Sequence, residues 1–201
     1  MFVSTYNNNG LKDVLMVLLE KSESDVQEFK RVDDLVEITN KETGRVVGYN
    51  VFNASSIIND LTNGPVSLSE EDVAELNKLI EKAGFNVTLE LQEGPNFVVG
   101  HVQTCKPVEG SDHLNVTQTE INDGKIVQIV CGAGNIAEGQ KVVVAKVGAV
   151  MPDGMIIWPG ELKGVKSEGM VCSARELGLP QESKGIMVLD DDRETGAEFK
   201  L

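Results

Sequence analysis

The sequence is poor in aromatic residues: they make up 4% of its 201 positions, with a single Trp. A core built from this chain must therefore rest on Val, Ile and Leu, which favour strands. Cysteine is scarce too. Cys105, Cys131 and Cys172 are odd in number and widely spaced, with no C-x-x-C pair, and only His101 and His113 could add a nitrogen ligand. That set suits neither a disulfide framework nor a structural zinc site. Three reduced, largely buried thiols are expected, with no metal and no cofactor. Long apolar runs are missing. Val14 to Leu19 is the clearest, and it is far too short to span a bilayer. The first residues, Met1 to Tyr6, lack the basic start of a signal peptide. A cytoplasmic protein with no membrane partner is expected. Also absent are a Walker loop, a G-x-G-x-x-G turn, a metalloprotease helix and a nucleophile elbow. Positive charge is the last shortage. Eighteen Lys and Arg stand against thirty-two Asp and Glu, a net of −14. Non-specific polyanion binding of any strength is excluded, because that affinity comes from cations displacing counterions.

What is present divides in two near Glu93-Gly94-Pro95-Asn96, so domains of 1–94 and 95–201 are expected. The first part carries a net of −9 and the second −5. In the first, Leu15–Leu19, Gln27–Arg31, Leu35–Thr39 and Arg45–Asn53 read as strands, the last two joined by a turn at Asn40 to Gly44. Ala54–Asp60 reads as a short helix ended by Asn63-Gly64-Pro65. Glu70–Ala83 reads as the main helix, capped by Ser69 with Asp72 in capping-box position and stopped by Gly84. Val73, Leu76, Ile80 and Ala83 share one face of it. The fold class expected here is a small α+β domain.

The second part is nearly helix-free. Phe97–Thr104, Asn115–Ile121, Ile126–Cys131 and Val142–Ala145 read as strands, with a hairpin at Asn122-Asp123-Gly124. A fifth lies at Met170–Cys172 or Gly185–Leu189. Five short strands with glycine corners suit an all-β, five-stranded Greek-key barrel of the OB type, though an SH3-like barrel reads similarly.

Four stretches narrow this. They are Phe97 to Val102, Gln128 to Ile136, Lys141 to Pro152 and, most specifically, Glu161 to Leu179, which reads ELKGVKSEGMVCSARELGL. Together they resemble the tRNA-binding OB domain found near the N-terminus of bacterial phenylalanyl-tRNA synthetase beta subunits and in free-standing tRNA-binding proteins. The whole layout, a small domain of unknown function before one such barrel, is similar to the YtpR group of bacterial proteins. The resemblance implies an OB fold and a non-catalytic, accessory role in binding tRNA or another structured RNA. There are departures. Where the family often carries H-P-N-A-D-K-L, this chain has Val108 to Leu114, so His113 stands at a Lys position, and Gly134 replaces a Pro before Asn135.

The residue types in these stretches fit RNA. Lys141, Lys146, Lys163, Lys166 and Arg175 could contact phosphates if they converge. Ser167, Ser173 and Asn135 offer hydrogen-bonding groups, and Met170 could pack on a base or sugar. Each also has a plainer use, in strand ends, turns or core. Two other functions stay open. One is an adaptor whose acidic first domain docks a protein partner. The other is a Cys enzyme built on Cys172, beside Ser173, Arg175 and Glu176. A homodimer also stays open.

Overall fold

The computed structural model describes residues 1–181 and 183–201. The chain forms two compact units, Met1–Glu93 and Gly94–Leu201.

The first unit is mostly β. Its strands are β1 (Val3–Asn7), β2 (Val14–Leu18), β3 (Gln27–Val32), β4 (Leu35–Asn40), β5 (Val46–Phe52) and β6 (Gly64–Pro65), arranged β3-β4-β5-β2-β1-β6 in one antiparallel sheet. One helix, α1 (Glu70–Lys82), covers a face of it. Ser69 caps α1: its hydroxyl accepts from the Asp72 amide at 3.1 Å, and the Asp72 carboxylate accepts from the Ser69 amide at 2.8 Å. The buried stripe Val73, Leu76 and Ile80 then packs on Leu15 and Val17 of β2 and Tyr49 and Val51 of β5. Alternation along the strands dictates this, since every second side chain points to the same face.

Three expectations for this unit need correction. β1 was not anticipated, and Gly64-Pro65 is more than a stop. It pairs with β1 as an edge strand, a place where a proline's missing N–H costs nothing. The segment after β5 is a single 3-10 turn, Ala54–Ser56, and not a helix to Asp60. Asp13 explains why. Its backbone carbonyl accepts from the Ala54 amide and its carboxylate from the Ser55 amide and hydroxyl, which pins the turn to the loop before β2. Asn53 and Asp60, which flank the segment, both hold positive φ, so a helix could not extend past either of them.

The second unit runs β7 (Phe97–Pro107), β8 (Asn115–Asn122), β9 (Lys125–Cys131), β10 (Lys141–Lys146), β11 (Gly160–Leu162), β12 (Val165–Ser167), β13 (Gly169–Val171) and β14 (Val188–Leu189). Its main sheet has the order β13-β10-β7-β8-β9, all antiparallel. Both candidate fifth strands pair with the same edge of β10: β13 with Val144 to Lys146, β14 with Lys141 and Val142. Asp123 and Gly124 take positive φ in the β8–β9 turn, as an Asp-Gly hairpin demands. The sheet curls until the start of β13 meets β9. There the Glu168 amide donates to the Gln128 carbonyl at 2.8 Å, and the Val130 amide to the Ser167 hydroxyl at 3.1 Å.

The curl encloses a core of Val98, Val102, Ile121, Ile129, Val142, Val144, Val171 and Ile186. Thr117 and Thr119 are buried without loss, bonding each other at 2.9 Å, while Thr117 reaches the Ile129 carbonyl at 3.0 Å. A second cluster, including Val143, Ala145, Met151, Ile157, Cys172 and Leu177, covers the other face of β10.

Gly48 in β5 shows how close the first sheet packs: a Cβ there would sit 2.5 Å from the Val17 carbonyl oxygen. Backbone cannot yield cheaply, so Gly48→Ala is expected to lower unfolding stability by about 1–3 kcal/mol, read by urea titration.

Candidate nucleic-acid interface

The hairpin β11–β12 was not anticipated, and it carries two of the exposed cations of the proposed set. Its strands pair Gly160 with Ser167, Glu161 with Lys166 and Leu162 with Val165, leaving Lys163-Gly164 as a two-residue turn. Both turn residues have positive φ, 51° and 77°. This is the primed turn that fits strand twist. Every residue from Gly160 to Gly164 is exposed, as is Lys166. Neither Lys163 nor Lys166 makes an ion pair or side-chain hydrogen bond among the described residues. The hairpin's base is tied down. The Lys166 carbonyl accepts from Gln128 at 2.8 Å, and buried Ser167 donates to the Gly169 carbonyl at 3.2 Å. A cleft of about 460 Å³ lies at that base, lined by Pro159, Gly160, Glu161, Lys166, Ser167 and Glu168.

The other proposed contacts are less free. Asn135 uses both ends of its amide on one partner: Nδ2 donates to the Ile186 carbonyl at 3.0 Å, and Oδ1 accepts from the Ile186 amide at 2.9 Å. It acts as a short piece of strand, clamping the segment before β14. The Ser173 hydroxyl donates to Glu176 Oε2 at 2.7 Å and accepts from the Glu176 amide at 3.3 Å, closing a capped turn. Met170 is half-buried against the second cluster. Arg175 is exposed in that capped turn, and no side-chain partner engages it among the described residues.

Lys141 and Lys146 do not converge. They lie at opposite ends of β10, about 17 Å apart at strand rise, and strand alternation puts them on opposite faces. Lys141 donates to the Thr195 hydroxyl. Lys146 is half-buried, and burial, with Lys125 adding to it, draws its ammonium below the ordinary lysine value. Lys125 is therefore a basic neighbour that the sequence reading missed. Its place after a hairpin turn gave no sign that β10 would end beside it. In the altered loop, His113 meets the Asp112 carboxylate at 2.6 Å, and that contact holds Asp112 below the usual carboxylate range.

Residues 22–92 match a family model described as a domain of unknown function (DUF4479). Residues 97–198, just over half the chain, match one described as "Putative tRNA binding domain". A Bacillus subtilis (strain 168) protein named "Putative tRNA-binding protein YtpR" is 44% identical over 198 residues, covering 98% of both chains. The chain belongs to the YtpR family. Phenylalanine–tRNA ligase beta subunits share a portion of it. That of Oceanobacillus iheyensis is 46% identical over 138 residues, 64% of this chain but 17% of the ligase subunit. That of Nitratidesulfovibrio vulgaris is 47% identical over 103 residues, 51% of this chain and 13% of the subunit. The YtpR-type arrangement thus contains only a small fraction of those ligase subunits.

The thiol offered as a nucleophile is badly placed for one. Cys172 is buried, its Sγ 3.6 Å from the Met170 carbonyl, and burial pushes its pKa up to about 12. A thiolate is the reactive form, so Cys172 is expected to resist alkylation at pH 8 in the native protein and to label once unfolded, as peptide mass mapping would show. Asn135→Ala is expected to cost about 1–3 kcal/mol of unfolding stability, because it leaves the Ile186 amide and carbonyl without partners. An unchanged denaturation midpoint would mean that the clamp carries no structural load.

Proposed function

We propose that this chain is a non-catalytic accessory protein that binds tRNA, or RNA of similar tertiary shape, through residues 95–201. The observation that carries the reading is the β11–β12 hairpin. In a chain of net charge −14, it holds Lys163 and Lys166 exposed and without an ion pair among the described residues, inside the segment that matches the tRNA-binding family model. The names of the relatives support the same substrate class.

The second unit is read as an OB barrel. Supporting this is the order of its five main strands in chain sequence, 5-4-1-2-3, with the fifth turned back toward the third. Such a barrel offers a shallow face flanked by loops. Phosphates would meet Lys163, Lys166 and Arg175 first, with Lys125 and Lys146 as a further basic spot. Ser167, Ser173 and Asn135 would act by shaping the loops, Met170 by packing beneath them, and Lys141 by holding the C-terminal segment. RNA read by shape and backbone needs few base contacts. With few cations available, the complex should be modest in affinity and selective for a folded target.

Residues 1–94 are read as a separate module. Their net charge of −9 makes them unsuited to phosphate and favours a second reading, in which they dock a basic protein partner. Stoichiometric recovery of one protein from nuclease-treated lysate would support it.

The test is a fluorescence titration of bulk tRNA at several salt concentrations. Lys163→Ala/Lys166→Ala is expected to weaken binding and to flatten the log–log salt slope by about one to two. An unstructured RNA of equal length is expected to bind more weakly. Absence of tRNA binding by the wild type at low salt would overturn the proposal.

A further inference from the structure

Strand β3 ends the first sheet and pairs only with β4, so its outer edge has no partner within the sheet. Five of its six residues are exposed. Phe29 is 77% exposed, well above Leu201 at 55% and Ile126 at 51%. Bare edges of this kind are usually guarded by charge. Here the guard has a pattern: Glu28-Phe29-Lys30 places opposite charges on either side of the phenylalanine.

We infer that β3 is the docking edge for a second copy of this chain, joined antiparallel about a two-fold axis through Phe29. Two sheets joined edge to edge by a two-fold axis perpendicular to them keep their faces on the same sides. Only residues of like parity can then stand opposite each other. Centring on Phe29 sets it against the partner's Phe29, Glu28 against the partner's Lys30, and Gln27 against the partner's Arg31. Both ion pairs fall on the face that carries α1 and the phenylalanine pair on the other. Centring on Lys30 would oppose two lysines and leave Glu28 facing Val32, so charge selects one register.

The backbone is in phase with that register. Val32 pairs with Leu35 across the two-residue turn Asp33-Asp34, and such a turn closes on a pair that exchanges both hydrogen bonds. Pairs alternate along an antiparallel ladder. Val32, Lys30 and Glu28 therefore aim their N–H and C=O groups at β4, while Arg31, Phe29 and Gln27 aim theirs outward. These are the residues that the proposed register sets opposite one another. The side chains are also sorted for it. Lys30 lies with its Nζ 5.4 Å from the centre of the Phe85 ring, on the α1 side. Arg31 is held on the other face, its guanidinium 4.3 Å from the centre of the Phe52 ring, where it does not compete for the partner's Glu28. The interface is isologous and closes on itself. It is smaller than that of a stable dimer, so association is weak and concentration-dependent.

The test is sedimentation equilibrium of the full chain, freed of nucleic acid, from about 5 µM to about 500 µM, a range that brackets weak self-association. The wild type is expected to shift from monomer to dimer across it. Glu28→Lys and Lys30→Glu should each weaken the dimer about tenfold or more, by setting like charges opposite each other twice. The double swap Glu28→Lys/Lys30→Glu should restore it. An equimolar mixture of the two single variants should form a heterodimer, because every facing pair is then again of opposite sign. Matching circular dichroism spectra would establish that all variants fold. A wild type that stays monomeric at the highest concentration overturns the inference. So do single swaps that leave the dimer intact, or a mixture that stays monomeric.

Discussion

The second unit depends on one strand being buried on both faces. Val142, Val143, Val144 and Ala145 of β10 are all fully buried. Such a strand needs neighbours on both edges and apolar cover on both sides. β7 fills one edge, and β13 and β14 together fill the other. Val142 and Val144 belong to the core inside the curl, and Val143 and Ala145 to the cluster outside it. Gly100 follows from the same demand. A Cβ there would lie 2.5 Å from a Val144 methyl, so at this position β7 has no room for a side chain. The loops that carry polar and basic groups hang from this strand and the two clusters it separates.

That arrangement sorts the polar residues. Groups near the core must be hydrogen-bonded or lose stability, and Asn135, Ser167 and Ser173 find partners on nearby backbone or on Glu176. Cations on the protruding hairpin carry no such obligation and stay free in solvent. On the proposed reading, interaction with a polyanion falls to a few lysines and an arginine set on turns. The surrounding acidity discourages looser attachment.

The two sheets treat their edges differently. In the second unit the curl brings β13 to β9, so an otherwise bare edge is met by Glu168 and Ser167. The first sheet stays open. At one end it is blunted by the two-residue strand β6 and its Pro65. At the other it leaves β3 exposed behind an alternating charge pattern. Charged residues at an edge repel most strands. In the inferred pairing, Glu28 and Lys30 would meet opposite charges when the incoming strand is a copy of their own.

Local pattern made much of this chain legible in advance. The capping box at Ser69 and Asp72, the Asp-Gly hairpin, the strands rich in Val and Ile and the change of composition near Gly94 are short-range features. They depend on neighbours a few residues away, and the YtpR-type motif from Glu161 to Leu179 is just as local. β6 and the Gly160–Ser167 hairpin were not legible, because strands of two or three residues exist only once a partner is beside them, and β1 was not because Val3-Ser4-Thr5-Tyr6-Asn7 lacks an apolar run. The turn at Ala54 was misread because Asp13, some forty residues earlier, captures its amides. Which polar residues are free was equally hidden. Asn135 and Lys163 look alike as candidates in the sequence. One is spent on Ile186, fifty-one residues away, while the other stands in solvent at the tip of a turn. Sequence alone determined the capped helix, the Asp-Gly hairpin and the longer apolar strands, because those preferences are set within a few residues. Only the tertiary structure decided which side chains were left over to bind anything, because that depends on contacts between residues far apart in the chain.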